Sequence, residues 1–190
     1  MENNLLENII HLDKELLIFL NSLGSEQWDP FWLVITNQLY WSPLFILIFY
    51  LTIKAYGWKQ GGFMILTMIL LVAFSDQFTN LIKNSVQRLR PNNDPEIKHL
   101  LRTLITPQSF SFTSGHASTS TFFSVFVVLL LRDKYKYIYF VLFWPLIFAY
   151  SRLYLGVHFP LDIIVGALVG VTFANIYYYF FKKVDQKIFQ

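Results

Sequence analysis

The chain has no cysteine in its 190 residues. That excludes disulfide bridges and thiolate zinc sites, so neither redox chemistry nor a cysteine-bound structural metal holds the fold together. Charge is also scarce: 14% of residues are charged, against roughly 25% in an ordinary soluble domain. Hydrophobic residues make up 55%, including 20 Phe and 11 Tyr, and they fall in long apolar runs instead of alternating with charge. A water-soluble surface cannot be built from this inventory, so the composition is that of a membrane protein. The formal net charge of +3 is small and scattered, which excludes the clustered basic face of a nucleic-acid binder. Neither an internal repeat nor a low-complexity tract divides the chain, and its length suits one domain, residues 1–190.

A bilayer core takes about 20 mainly apolar residues per helix, and five windows meet that requirement. They are Phe31–Ile53; Gly61–Ile82; Phe122–Leu131 extended back through Ala117-Ser118-Thr119-Ser120-Thr121; Tyr137–Leu155, with a kink expected at Pro145; and Pro160–Phe181. The first carries Thr36, Asn37, Gln38 and Pro43, so its first half is expected against protein or at the interface. The small residues opening the third suit close helix packing. At the N-terminus, residues 1–23, Leu5, Ile9, Leu12, Leu16, Phe19, Leu20 and Leu23 recur at helical spacing among Glu2, Glu7, Asp13, Lys14 and Glu15. This is an amphipathic helix that lies in the interface or tilts in as a short sixth span; the sequence leaves both open. It lacks the basic start of a signal peptide. The expected architecture is therefore all-α, a polytopic membrane bundle of five spans plus this helix.

Five spans place alternate loops on opposite sides. Residues 54–60, 132–136 and 182–190 hold eight basic residues in short segments, whereas residues 1–30, 83–113 and 152–159 hold the other seven in far more chain. The positive-inside rule assigns the denser side to the cytoplasm. The other side then faces the periplasm or exterior of a bacterial cytoplasmic membrane.

Three polar clusters fall on that outward side: KNSVQRLRP (Lys83–Pro91), TSGH (Thr113–His116) and SRLYLGVHFPLD (Ser151–Asp162). Each has an ordinary structural reading taken alone. Lysine and arginine snorkel at helix ends, Ser-Gly starts a helix, and an aspartate in a first helical turn suits the dipole. Their convergence at one end of a membrane protein points to function, because charged groups near membrane depth are rare. Lys83, Arg90 and Arg152 with the helix start at Ser114-Gly115 form a pocket for a multiply charged oxyanion, and phosphate is the obvious guest. Phosphoryl transfer asks a protein mainly to position groups and stabilise charge, which these cations can do without a metal. His158 is a candidate nucleophile whose ring N–H is held by Asp162 four residues on. His116 is the candidate acid for the leaving group and base for water.

In order and spacing, Lys83…Arg90-Pro91, Ser114-Gly115-His116 and Ser151-Arg152…His158…Asp162 resemble the three-part signature of the type 2 phosphatidic acid phosphatase family, which shares its site with vanadium haloperoxidases and bacterial acid phosphatases. The resemblance covers about residues 76–170 and implies a six-helix core that needs no metal or other cofactor. It also implies His158 as phosphohistidine, Asp162 as its orienting group, His116 as acid and base, and Lys83, Arg90, Ser114, Gly115 and Arg152 as phosphate holders. Thr113 stands where the family usually has proline, and the expected effect is on the stiffness of the turn. The partners implied are membrane lipids and a lipid phosphate substrate, with undecaprenyl diphosphate first and lipid A, phosphatidylglycerophosphate and phosphatidate open.

Asp76, Gln77 and Asn80 read as an interhelical hydrogen-bond set, with support of the site as the alternative, Arg88 as a headgroup contact, and residues 92–112 as a lid, a guide or a flexible loop. The tryptophans and the tyrosine runs read as interfacial belts. Three rival functions stand beside the phosphatase. A serine protease built on Ser114 is disfavoured by the cation cluster, and a metal site on His158 and Asp162 lacks a further ligand. The third is an anion transporter that binds without turnover.

Overall fold

The computed structural model describes residues 2–189; the ends of the expected domain, Met1 and Gln190, and the side chains of Glu2 and Asn3 lie outside the described residues. Those residues form six helices: α1 (Glu2–Ser22), α2 (Asp29–Thr36), α3 (Ser42–Val86), α4 (Gly115–Leu131), α5 (Phe143–Tyr154) and α6 (Pro160–Phe189). Short 3₁₀ turns join some of them, and no strand occurs among the described residues.

α3 is a helical hairpin. Drawn straight, its 45 residues would span about 68 Å, twice a bilayer core. Gly57 leaves the helical region at φ 75°, ψ 176°, a conformation open essentially to glycine alone. Beyond it the chain turns back, so a Cβ on Gly61 would lie 3.0 Å from the Cα of Ile53. Ile48 of the first arm thereby packs with Met64, Met68 and Leu71 of the second.

The expected first span, 31–53, is not one helix. Asn37 is extended and accepts from the Leu39 amide, a 3₁₀ turn covers Gln38–Trp41, and Pro43 restarts the helix in α3. α2 instead packs on α5 through Trp32 against Tyr150 and Tyr154, in keeping with the polar character of that first half. Tyr137–Leu155 also differs from expectation. It opens as a 3₁₀ turn at Ile138–Leu142, and Pro145 falls in the first turn of α5, where its missing N–H leaves no bond unmade, so it causes no mid-helix kink. Two helical segments, Gln38–Asn93 (the hairpin) and Pro160–Phe189, are long and apolar enough to cross a membrane; Gly115–Leu131 and Ile138–Tyr154 are shorter apolar helices. The all-helical, membrane-type fold stands, while the expected count of five spans is not confirmed, because only these two segments meet the length and hydropathy that a span needs.

α4 and α6 make the tightest pairing. Gly166 and Gly170 let the backbones touch: an added Cβ would sit 2.8 Å from the Ser114 carbonyl and 2.6 Å from that of Ser118. This is the small-residue packing expected of α4, supplied jointly by its serines and the glycines of α6. The core beneath is aromatic, with Phe122, Phe123, Phe126, Trp144 and Phe148 buried. Lys134 lies over the Tyr56 ring, Gln60 bonds Asp185, and Phe63 meets Phe189. The hairpin tip and the ends of α4 and α6 therefore share one end of the bundle, and the three polar clusters share the other.

Candidate active site

Four turns of chain deliver the site. Lys83 stands in the last turn of α3, which Gln87 ends in the left-handed conformation at φ 53°. The following extended residues carry Arg90 inward. Gly115 and His116 open α4 beneath the Ser114 N-cap, whose hydroxyl accepts from the Ala117 amide. Arg152 ends α5, and His158 lies in the link to α6, whose first turn holds Asp162.

The structure brings Arg90, His158 and Asp162 into contact. Arg90 Nη1 lies 3.0 Å from His158 Nε2 and donates to the Val157 carbonyl at 2.9 Å. Its Nε and Nη2 donate to the carbonyl and hydroxyl of Ser109 at 2.6 and 2.9 Å. On the far side of the ring, His158 Nδ1 lies 3.3 Å from Asp162 Oδ2, which also accepts from the Phe159 amide at 2.9 Å. A guanidinium can only donate, so Nε2 is the acceptor nitrogen and Nδ1 carries the proton toward Asp162. His158 thus presents its lone pair to the cations. Burial holds its pKa well below the usual histidine value, and Arg90, Arg152 and Lys83 push the same way, so the ring is neutral near pH 7.

Arg152 donates Nη1 to Thr36 Oγ1, which explains the polar break between α2 and α3, while its buried Nε has no partner among the described residues. The ring of His116 stacks on Phe148 at 4.6 Å. Lys83, Arg90, Gly115, His116, Arg152 and His158 all line one cavity of about 780 Å³. From this polar end the walls continue in Phe45, Phe49, Met68, Val72, Phe123 and Trp144, forming an apolar groove between α3, α4 and α5.

Ser114 and Asp162, both fully buried, stand behind that lining. The Ser114 hydroxyl is occupied as the N-cap, and its amide donates to the Asp162 carbonyl at 3.1 Å, tying the start of α4 to the start of α6. Thr113 is buried, and its hydroxyl has no partner among the described residues.

Three readings of the remaining residues change. Arg88 points inward instead of to headgroups, with Nη1 on Asp162 Oδ1 at 2.8 Å and Nη2 on Asp13 Oδ2 at 2.7 Å. Among the described residues Asp76 bonds only its helical neighbour Asn80, at 3.3 Å, and it lines the cavity, so it stands at the site and does not join α3 to another helix. Residues 92–112 are pinned: Asp94 and Glu96 pair with Lys14, Arg102 pairs with Asp29, and Pro107 and Ser109 form cavity wall. Sequence spacing could not show the pairs made by Arg88, Lys14 and Arg102, whose partners lie more than 70 residues apart.

Comparison with known proteins places the chain in a family. Residues 61–186 match the PAP2 superfamily. The chain is 30% identical over 188 residues to a lipid A 4'-phosphatase of Bacteroides thetaiotaomicron, covering 97% of this chain and 83% of that protein. It is also 30% identical over 155 residues to an undecaprenyl-diphosphatase of Sulfolobus acidocaldarius, covering 82% of this chain and 64% of that one. Its fold is similar to the crystal structure of a transmembrane PAP2-type phosphatidylglycerolphosphate phosphatase from Bacillus subtilis, with TM-score 0.68, 21% identity and coverage of 96% and 90%.

Proposed function

From the premise that the chain belongs to the PAP2 superfamily and is a membrane lipid phosphatase, we propose that it hydrolyses a lipid phosphate monoester through a phosphohistidine at His158, without a metal, on the outward face of the bacterial cytoplasmic membrane. The observation that carries this reading is the His158 ring, backed by Asp162 and facing Arg90 at 3.0 Å where a cationic cavity opens into an apolar groove.

In the first step the phosphate takes the donors of Arg90, Arg152 and Lys83, which frees the Nε2 lone pair. Nε2 attacks phosphorus, the P–O bond to the lipid breaks, and His116, protonated by the incoming phosphate monoanion, passes that proton to the departing alkoxide. His116 then takes a proton from water, which attacks phosphorus. The P–N bond breaks, the electron pair returns to Nε2, and inorganic phosphate leaves. Asp162 keeps the Nδ1 proton throughout and stabilises the cationic ring of the intermediate.

For the substrate we place a lipid A-type saccharolipid monophosphate ahead of undecaprenyl diphosphate. Asp76 stands two helical turns before Lys83 on the same face of α3 and lines the cavity. A carboxylate there repels a second phosphate and accepts hydrogen bonds from sugar hydroxyls or amides. The relative matched over most of both chains is named for such a substrate, and the undecaprenyl-diphosphatase relative keeps the second reading open.

The test is phosphate release by purified protein from lipid A, undecaprenyl diphosphate, phosphatidylglycerophosphate and phosphatidate, with chelator present and beside His158→Ala. Chelator-resistant release, fastest from lipid A and lost in His158→Ala, is expected. Fastest release from undecaprenyl diphosphate reverses the substrate order, and turnover surviving in His158→Ala overturns the mechanism.

A further inference from the structure

α1 reaches the candidate site without touching the cavity. Its outer side chains Leu5, Leu12, Leu16 and Phe19 are exposed, while Leu17 is buried against Leu153 and Phe159. Asn21 bonds the backbone of Arg102 and Tyr154. Its deepest polar contact is Asp13. One oxygen of that carboxylate takes Arg88 Nη2, and the other accepts from the Leu161 amide at 2.8 Å, in the first turn of α6 and next to Asp162. The Arg88 guanidinium lies 3.8 Å over the ring of Phe159, the residue after His158.

We propose that Arg88 and Asp13 are positioning residues of the active site: Arg88 holds the Asp162 carboxylate that fixes the His158 ring, and Asp13, carried on α1, holds Arg88. Asp162 is completely buried, and an isolated buried carboxylate is costly. Arg88 pairs with its Oδ1 and leaves Oδ2 for His158 Nδ1 and the Phe159 amide. Without Arg88 the carboxylate protonates or turns, and His158 loses the acceptor that sets its tautomer. Arg88 in turn needs a second anchor to keep its plane on Phe159, and Asp13 supplies it. Neither residue lines the cavity, so neither is a substrate contact. The N-terminal helix is on this account part of the catalytic scaffold.

This inference rests on the phosphatase reading, and the two fail differently. The experiment is steady-state kinetics of the full-length protein in lipid nanodiscs, comparing wild type with Arg88→Ala, Arg88→Lys, Asp13→Asn and Lys14→Ala, with the melting temperature of each. Lys14→Ala breaks the ion pairs that tie α1 to Asp94 and Glu96, and serves as the control for docking alone. Expected are a fall in kcat on the order of 10- to 100-fold in Arg88→Ala, a smaller fall in Asp13→Asn, partial rescue in Arg88→Lys, and KM changed less than about 3-fold throughout. Lys14→Ala should keep wild-type kcat. The inference is overturned by folded Arg88→Ala protein with wild-type kcat, by KM rising alone, or by Lys14→Ala losing kcat in parallel with Asp13→Asn. No phosphate release from wild type overturns the underlying phosphatase reading instead.

Discussion

At the scale of the residue, the proposed chemistry turns on His158 and Arg90. A free histidine gains a proton near pH 6.5, but burial and three cations hold His158 well below that. The neutral, nucleophilic form therefore persists as pH falls, and the protonated form appears only on the acid side of the folded-state pKa. The acid limb of kcat/KM, corrected for the second ionisation of the substrate, should lie below pH 6.5; a midpoint above that value would mean the ring is not shielded in this way. Arg90 spends Nε and Nη2 on Ser109 and has Nη1 beside His158 Nε2. Arg90→Ala should lower kcat by about 10²- to 10³-fold, with Arg90→Lys intermediate because one ammonium cannot hold Ser109 and phosphate together. These residues were legible in the sequence because fixed spacing within short segments encodes them. Arg88 was not, since an arginine near a helix end looks the same whether its partner is a lipid or an aspartate far along the chain.

Elements decide whether those residues meet. The α4–α6 contact is backbone against backbone at Gly166 and Gly170, and it brings the Ser114 amide onto the Asp162 carbonyl. Alanine at either glycine must push the helices apart, at a cost of about 1–3 kcal/mol, which corresponds to roughly 2–12 °C in melting temperature for a chain of this size. Gly166→Ala should also lose more activity than Gly170→Ala, because it lies one turn from Asp162; equal activities in the two variants would contradict that gradient. Hydropathy found the apolar segments but misplaced two joints. A window average cannot see that Asn37 breaks its span while Pro145 merely begins a helix, because both depend on backbone angles a few residues away. The turn between the spans ending at Ile53 and starting at Gly61 was readable from Lys54, Lys59 and Gln60, and what the structure adds is that Gly57 alone makes it, at positive φ.

The whole molecule is a bundle with two unlike ends. One carries the hairpin tip with Lys54 and Lys59, Lys134 and Lys136, and Lys182 and Lys183; the other carries the cavity. The separation of loops by side was readable from alternation alone, whereas the anchoring of α1 and of residues 92–112 to the site depended on pairs that only folding assembles. Because the chain has no cysteine, its sidedness can be tested with single introduced thiols. Cysteine at Gln108, exposed beside the cavity, should react with an impermeant maleimide in intact spheroplasts. Cysteine at Trp58, the 82%-exposed tip of the hairpin, should react only after permeabilisation. The reverse pattern would turn the enzyme over in its membrane.

The central claim is that a lipid phosphate is passed to one nitrogen of one histidine. Rapid quenching of the purified enzyme with a ³²P-labelled lipid A-type substrate, followed by peptide mapping at alkaline pH, examines it directly. The label should appear on the peptide containing His158, at single-turnover rates, and vanish in His158→Ala. Label on another residue, or full turnover with no labelled peptide at any quench time, would contradict the account.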